Sequence, residues 1–453
     1  MTDDTVRREI VTALRQGTVP PRGLRLFATG LDALVDQVRS ELSDAGQGRG
    51  GSKWLRGDYG SGKTFTARHL ATVAREAGFA TAEVQVSSTD TPLHKLETVY
   101  RRLIERLETA TEAPSALRSI VDIWLYEIGD KVERLRGLSE TDPGFDDACE
   151  RQIEDDLAEI SRSTPAFSAV LRAYYRAQAA GDHATAQGLL GWLAGQPHTD
   201  RSLLKSAGLR GAVDGQAALS FLRGLLSLLP RAGYKGLVVV LDEVETIQRI
   251  PSNQRAKGLE ALRQLMDMLG DDRLPGMYLI VTGTPAFFEG PKGIRELSPL
   301  YDRLKVRFDD DPTFDNLRAP QVRLPGFDAA RLRRVGQAVR ELYPATHPER
   351  LAATLSDPVL DALIADLTQR FGGEVSVVPR LFLRTLIDLA DRADQHPDYD
   401  PMAHIRKVEV SPDALTDVER DAYERARLQQ PAKPSPSAEA PPAEPPRRRR
   451  LED

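Results

Sequence analysis

Gly57, Gly60 and Gly62, followed at once by Lys63 and Thr64, stand in the run GDYGSGKT with the spacing GxxxxGK[ST]. Glycines at such steps let the main chain curl and turn successive amide hydrogens toward one small volume, where they suit phosphate oxygens. In this pattern the whole loop (Gly57, Asp58, Tyr59, Gly60, Ser61, Gly62, Lys63 and Thr64) wraps the phosphates of a nucleoside triphosphate. Lys63 would reach the β- and γ-phosphates, and the Thr64 hydroxyl would sit on Mg²⁺. The helix that begins here would aim its positive end at the anion. ATP and Mg²⁺ are thus the expected cofactors.

Hydrolysis also asks for an acid near the metal and a group to polarise water, and LVVVLDEVE offers both. Asp242, at the end of the apolar run, would hold Mg²⁺ through water, and Glu243 would orient the attacking water. Glu245 is a lesser candidate, and the plain alternative is that DEVE caps a strand with solvated charge. The run MYLIVTGTP ends in Thr282 and Thr284, either of which could help place the water, with Thr284 preferred over an ordinary turn. Arg303 and Arg307, in SPLYDRLKVRF, lie between two expected strands, where an arginine could reach the nucleotide of a neighbouring subunit in an oligomer. Arg380, after Pro379 at the start of a helix, could fold back onto the γ-phosphate, with Arg384 one turn on as its substitute.

These residues need elements to hold them. Lys53 to Arg56 reads as a strand, Thr66 to Gly78 as a helix and Ala82 to Val86 as a second strand, which together make a βαβ unit. Strand character returns at 236–245, in a run apolar enough to be buried on both faces of a parallel sheet. It recurs from Met277 and again over Gln321 to Phe327. A helix is expected around Arg255 to Leu269, and further ones over Ala329 to Tyr343, Asp357 to Phe371 and from Val378. The chain therefore divides into a helical leader and linker (1–50), a phosphate-loop part (51–91), a helical insertion without strands (92–230), a second sheet part (231–328), a helical lid (329–428) and a Pro/Arg-rich tail (429–453) expected to be disordered. The fold class is α/β, a parallel sheet with a large helical insertion and a small C-terminal helical lid.

Composition narrows the class. The chain has 453 residues, 41% of them hydrophobic, and a net charge of −6. It can fill a core of domain size, and it has no global attraction to nucleic acid. A DNA contact would need a local basic surface; the run Arg447 to Arg450 is the one tail segment that offers it, against the simpler reading of a solubilising tail. Cys149 is the single cysteine, so no internal disulfide or cysteine-based metal cage forms, as suits a reducing cytoplasm. No apolar run approaches the roughly 18 residues of a membrane span, and the N-terminus lacks a signal peptide's apolar stretch. A cytoplasmic protein without a membrane partner is expected.

Loop, acids, post-strand threonine, inter-strand arginines and a Pro-Arg lid helix, in this order, resemble the P-loop NTPases of the AAA+ class, nearest the Orc/Cdc6 branch. The resemblance implies Walker A at Lys63 and Thr64, Walker B at Asp242 and Glu243, sensor 1 at Thr284, an arginine finger at Arg303 or Arg307, and sensor 2 at Arg380. More narrowly, LRQGTVPPRGLRLFATG, WLRGDYGSGKT, LDEVE, VTGTPAFF and YDRL, spread over residues 8 to 390, resemble the ATP-binding proteins of bacterial BREX phage-defence systems, the BrxD type. That resemblance implies an ATPase working beside a helicase, a phosphatase-like protein and a DNA methyltransferase. Too little chain follows the Arg380 helix for a full winged-helix DNA-binding domain, a departure from the initiator branch. Two other readings remain: a nucleotide-switched binding module with little turnover, and a STAND-like signalling ATPase that assembles when triggered.

Overall fold

The computed structural model describes residues 3–373, 378–405, 415 and 417–429. The tail with Arg447 to Arg450 lies outside the described residues. Among those described, no helix is long and apolar enough to cross a membrane.

A six-stranded sheet forms the centre: β1 (Gly51–Arg56), β2 (Ala80–Gln85), β3 (Leu107–Glu108), β4 (Leu237–Asp242), β5 (Met277–Gly283) and β6 (Gln321–Arg323), in the order β3-β2-β4-β5-β1-β6. All neighbours pair in parallel except β3, which runs antiparallel to β2. Two expectations are corrected here, since the sheet is not wholly parallel and the insertion 92–230 holds the strand β3. A pair of residues on a sheet edge is too short to leave a periodic signal in sequence, and only its pairing partner reveals it.

Every residue of β4 and β5 is buried, because helical layers cover both faces. Alternation sorts their side chains. Val238, Val240 and Ile280 face the phosphate-loop helix (Lys63–Glu76) and the helix Asp32–Ala45, whereas Val239, Leu241 and Val281 face the opposite layer. That opposite layer includes the helices between β2 and β4, among them Leu96–Glu105, Leu117–Arg136 and Gly215–Leu228, and their apolar residues share one continuous core with the sheet. The inserted chain is thus packed on the sheet rather than held away from it.

The helix Asp4–Arg15 starts where the Asp3 carboxylate accepts a hydrogen bond from the Thr5 amide at 2.9 Å, an N-cap that satisfies an otherwise orphan donor. Its apolar stripe, Ile10, Val11 and Leu14, packs among C-terminal helix residues such as Leu332, Leu360 and Phe382. Arg15 adds a two-pronged ion pair with Asp391 at 2.8 and 2.7 Å. Leader and C-terminal helices therefore form one layer, a joining that the sequence reading kept as two separate segments.

Candidate nucleotide site

β1 ends at Arg56, and the loop that follows is shaped by its glycines. Gly60 and Gly62 take φ values of 80° and 84°, in the left-handed region that a side chain disfavours. Gly57 is needed for a different reason: a Cβ there would stand 2.3 Å from the Ser61 hydroxyl oxygen. Gly62 opens the helix Lys63–Glu76 without a side-chain cap, and the residues from Tyr59 to Thr66 border a cavity of about 510 Å³. A helix start of this kind is an anion site by its own dipole and unbonded amides.

Lys63 is 8% exposed. Its ammonium donates to the Gly57 and Asp58 carbonyls at 3.0 and 3.2 Å and lies 3.8 Å from a Glu245 oxygen. The Tyr59 ring centre is 5.1 Å from it. Burial pulls the ammonium below the ordinary lysine value, and the carboxylates of Glu245 and Asp242 oppose that shift. For Glu245 burial works the other way and raises its carboxyl, with Lys63 opposing.

The acid strand meets the loop at Asp242. The Thr64 hydroxyl donates to Asp242 Oδ2 at 2.8 Å, and the Thr282 hydroxyl donates to Asp242 Oδ1. Thr282 also accepts the Glu243 amide at 3.0 Å. This is possible because β5 lies next to β4 in the sheet, so a side chain at its end can reach the residues that leave β4. Glu243 sits at φ 60°, and that left-handed step turns the chain from β4 into the 3₁₀ turn Val244–Arg249. Its Oε2 accepts from the Gln85 side-chain Nε2 at 3.1 Å, across the register that sets Gln85 beside Asp242. The hydroxyl of Thr64 and the carboxylate of Asp242 are hard oxygen donors of the kind Mg²⁺ takes, so the residues present fit that ion.

The cavity's remaining walls come from both ends of the chain. Gly17 to Pro20 of the leader border it, as do Arg331 and Arg380 of the C-terminal helices. Phe27, Leu31, Phe65, Phe327, Val335 and Leu383 give it an apolar side, suited to a flat aromatic base. The Phe27 and Phe65 rings are 5.1 Å apart. Arg380 donates to the Gly17 carbonyl at 3.1 Å and to the buried Glu419 carboxylate at 2.7 Å, so it clasps the leader to the lid at the cavity rim. Arg331 donates to the Thr29 and Pro325 carbonyls at 3.1 and 3.2 Å.

Lys63, Thr64, Asp242, Glu243, Glu245 and Arg380 are thus brought together, and other expected residues are not. Thr284, the preferred threonine, starts the short helix Pro285–Glu289 and makes no cap hydrogen bond; Thr282 is the one on Asp242. Arg303 pairs with Asp267 of its own chain, and Arg307 is exposed on the segment after the helix Ser298–Leu304. Neither borders this chain's cavity, nor does Arg384. Gln85, Arg331 and the leader's share of the wall escaped the sequence reading. The one signal for Gln85 was its place at the exit of the strand next to the acids.

A phosphate-shaped loop at the carboxyl end of a parallel sheet, with an acid brought onto its threonine, defines an α/β protein with a site for a phosphorylated ligand. The family described as BREX system ATP-binding protein BrxC/D matches residues 3–409. The chain belongs to that family of ATP-binding phage-defence proteins. No curated protein matches it.

Proposed function

We propose that the chain is an Mg²⁺-dependent ATPase of the AAA+ kind and of the BrxD type, whose turnover remodels or assembles other BREX proteins, on DNA among other places. The observation that carries this reading is the Asp242 carboxylate, engaged on one oxygen by Thr64 of the loop and on the other by Thr282 of β5. Mg²⁺, when bound, would supply charge to offset the phosphates. In this reading the loop amides and Lys63 bind and orient the triphosphate, while Thr64 and Asp242 hold the ion's position. Glu243 orients the water and takes up its proton. Thr282, rather than Thr284, fixes the acid pair. Arg380 links lid position to the nucleotide, and Arg307 serves a neighbouring copy in a homo-oligomer, since Arg303 is tied to Asp267. The domain division given above is kept in this reading, with the leader helix counted with the lid.

The test is Glu243→Gln, which keeps the shape and removes the proton acceptor. It should hold ATP and lose turnover; turnover equal to the parent's refutes the assignment. A second reading, a nucleotide switch with little turnover, draws support from the Gln85 hydrogen bond that occupies one oxygen of Glu243. Gln85→Ala discriminates between them, because a switch held off by Gln85 gains basal turnover when that bond is removed, and an ATPase free of this restraint does not.

A further inference from the structure

Glu245 is a charged group that the proposed reaction leaves without a task. It follows the left-handed Glu243 by two residues, in the turn Val244–Arg249, and is 6% exposed. One of its oxygens lies 3.8 Å from the Lys63 ammonium, and its Oε2 is buried without a hydrogen-bond partner. It borders the same cavity as Lys63, Thr64 and Glu243. An ion pair serving only to hold the fold would be expected to have its oxygens satisfied, because a buried carboxylate oxygen without a donor is costly. Here the unsatisfied oxygen belongs to a group on the wall where phosphate is expected.

We propose that Glu245 is an affinity-setting residue, which shares Lys63 with the terminal phosphates of ATP and so weakens the hold of the loop on its ligand. The proposal rests on the reading of this cavity as the ATP site. Lys63 already spends donors on the Gly57 and Asp58 carbonyls, and its charge is partly balanced by Glu245. A phosphate approaching the same ammonium meets a lysine that is less positive than a free one, and a carboxylate of its own sign in a medium that screens little. The cost falls on the phosphates that Lys63 touches, so it is larger for ATP than for AMP. Its consequence is a loop that lets nucleotide go, which a protein cycling between nucleotide states requires.

The experiment is calorimetric titration of the full chain with Mg²⁺ and unlabelled ATP, then with AMP, for the parent and for Glu245→Gln. Gln keeps the volume and removes the charge, so ATP should bind roughly tenfold tighter and AMP little changed, since about one like-charge contact in a weakly screened site is relieved. Equal or weaker ATP binding by Glu245→Gln overturns the proposal. If that variant fails to fold, as a melting curve would show, Glu245→Asp takes its place. It keeps the charge but draws it back from Lys63, and should bind ATP tighter than the parent; equal or weaker binding again overturns the proposal. A parent that binds no ATP, in the same titration, instead refutes the site reading on which the proposal stands.

Discussion

Replacing Thr282 with valine should separate the two threonines at the end of β5. Thr282 is 0% exposed, and its hydroxyl makes two bonds, donating to Asp242 Oδ1 and accepting from the Glu243 amide. A hydrogen bond to a charged group contributes about 1.5–3 kcal/mol and a neutral one about 0.5–1.5 kcal/mol, so Thr282→Val should lower stability by about 2–4.5 kcal/mol. Valine matches threonine in shape, so no cavity adds to that cost. If the bond to Asp242 is what aims the acid, its loss carries into the reaction. At about 1.36 kcal/mol per tenfold, turnover should fall by about 10- to 150-fold. The assay is steady-state ATP hydrolysis across an Mg²⁺ titration, with urea denaturation run on the same preparations. The half-saturating Mg²⁺ concentration should rise together with the loss of rate, because Asp242 would be less well placed for the ion. Thr284→Val is the comparison and should stay close to the parent, since Thr284 makes no such bond. If Thr282→Val keeps turnover within about twofold of the parent, or if Thr284→Val is the variant that fails, the assignment is refuted.

Two further outcomes follow from the geometry. Arg307→Ala should leave ATP binding intact and cut turnover by about a thousandfold if an arginine acts in trans, with Arg303→Ala milder because of its pair with Asp267; unchanged turnover in Arg307→Ala, measured in parallel with sizing of the assembled protein, removes that reading. His69, on the phosphate-loop helix, is buried with an unpartnered Nδ1, and burial lowers its pKa below the ordinary 6.5. The unfolded chain then binds the proton more readily, so this contribution is present above 6.5 and is lost as pH falls through the lower folded value. Urea midpoints should drop between neutral and mildly acid pH, and His69→Gln should flatten that slope; an equally steep slope in the variant would contradict it.

The sequence made the site legible wherever local backbone demands dictate residue type. Gly60 and Gly62 take a φ that favours glycine, and LVVVL ahead of Asp242 had to be apolar to lie in the middle of a covered sheet, so both could be read without a partner in view. The sequence reading preferred Thr284 to Thr282, and alternation along a strand, which puts both on the same side, gave no means to correct that choice. Only the end of β5 at Gly283 and its pairing with β4 decide which one meets Asp242. Arg303 read as free until Asp267 was brought to it from a helix earlier in the chain. The leader's amphipathic face announced that something apolar covers it and nothing about what; the answer lies more than three hundred residues along, at Leu332 and beyond. The family itself was legible in the motifs and their order, and the family match spans residues 3–409.

The shared layer of leader and lid bears on how the protein is made. A chain leaves the ribosome from its N-terminus, at about 5–20 residues per second. Ile10, Val11 and Leu14 therefore emerge early and wait for Leu332, Leu360 and Phe382, which arrive a good part of a minute later by that rate. During the interval the phosphate loop and its acids can assemble on the sheet, yet the pocket has neither its leader wall in place nor Arg380 to clasp it. The rim of the cavity is thus complete only once Arg380 has emerged, and the apolar face of the helix Asp4–Arg15 stays uncovered until Leu332, Leu360 and Phe382 arrive.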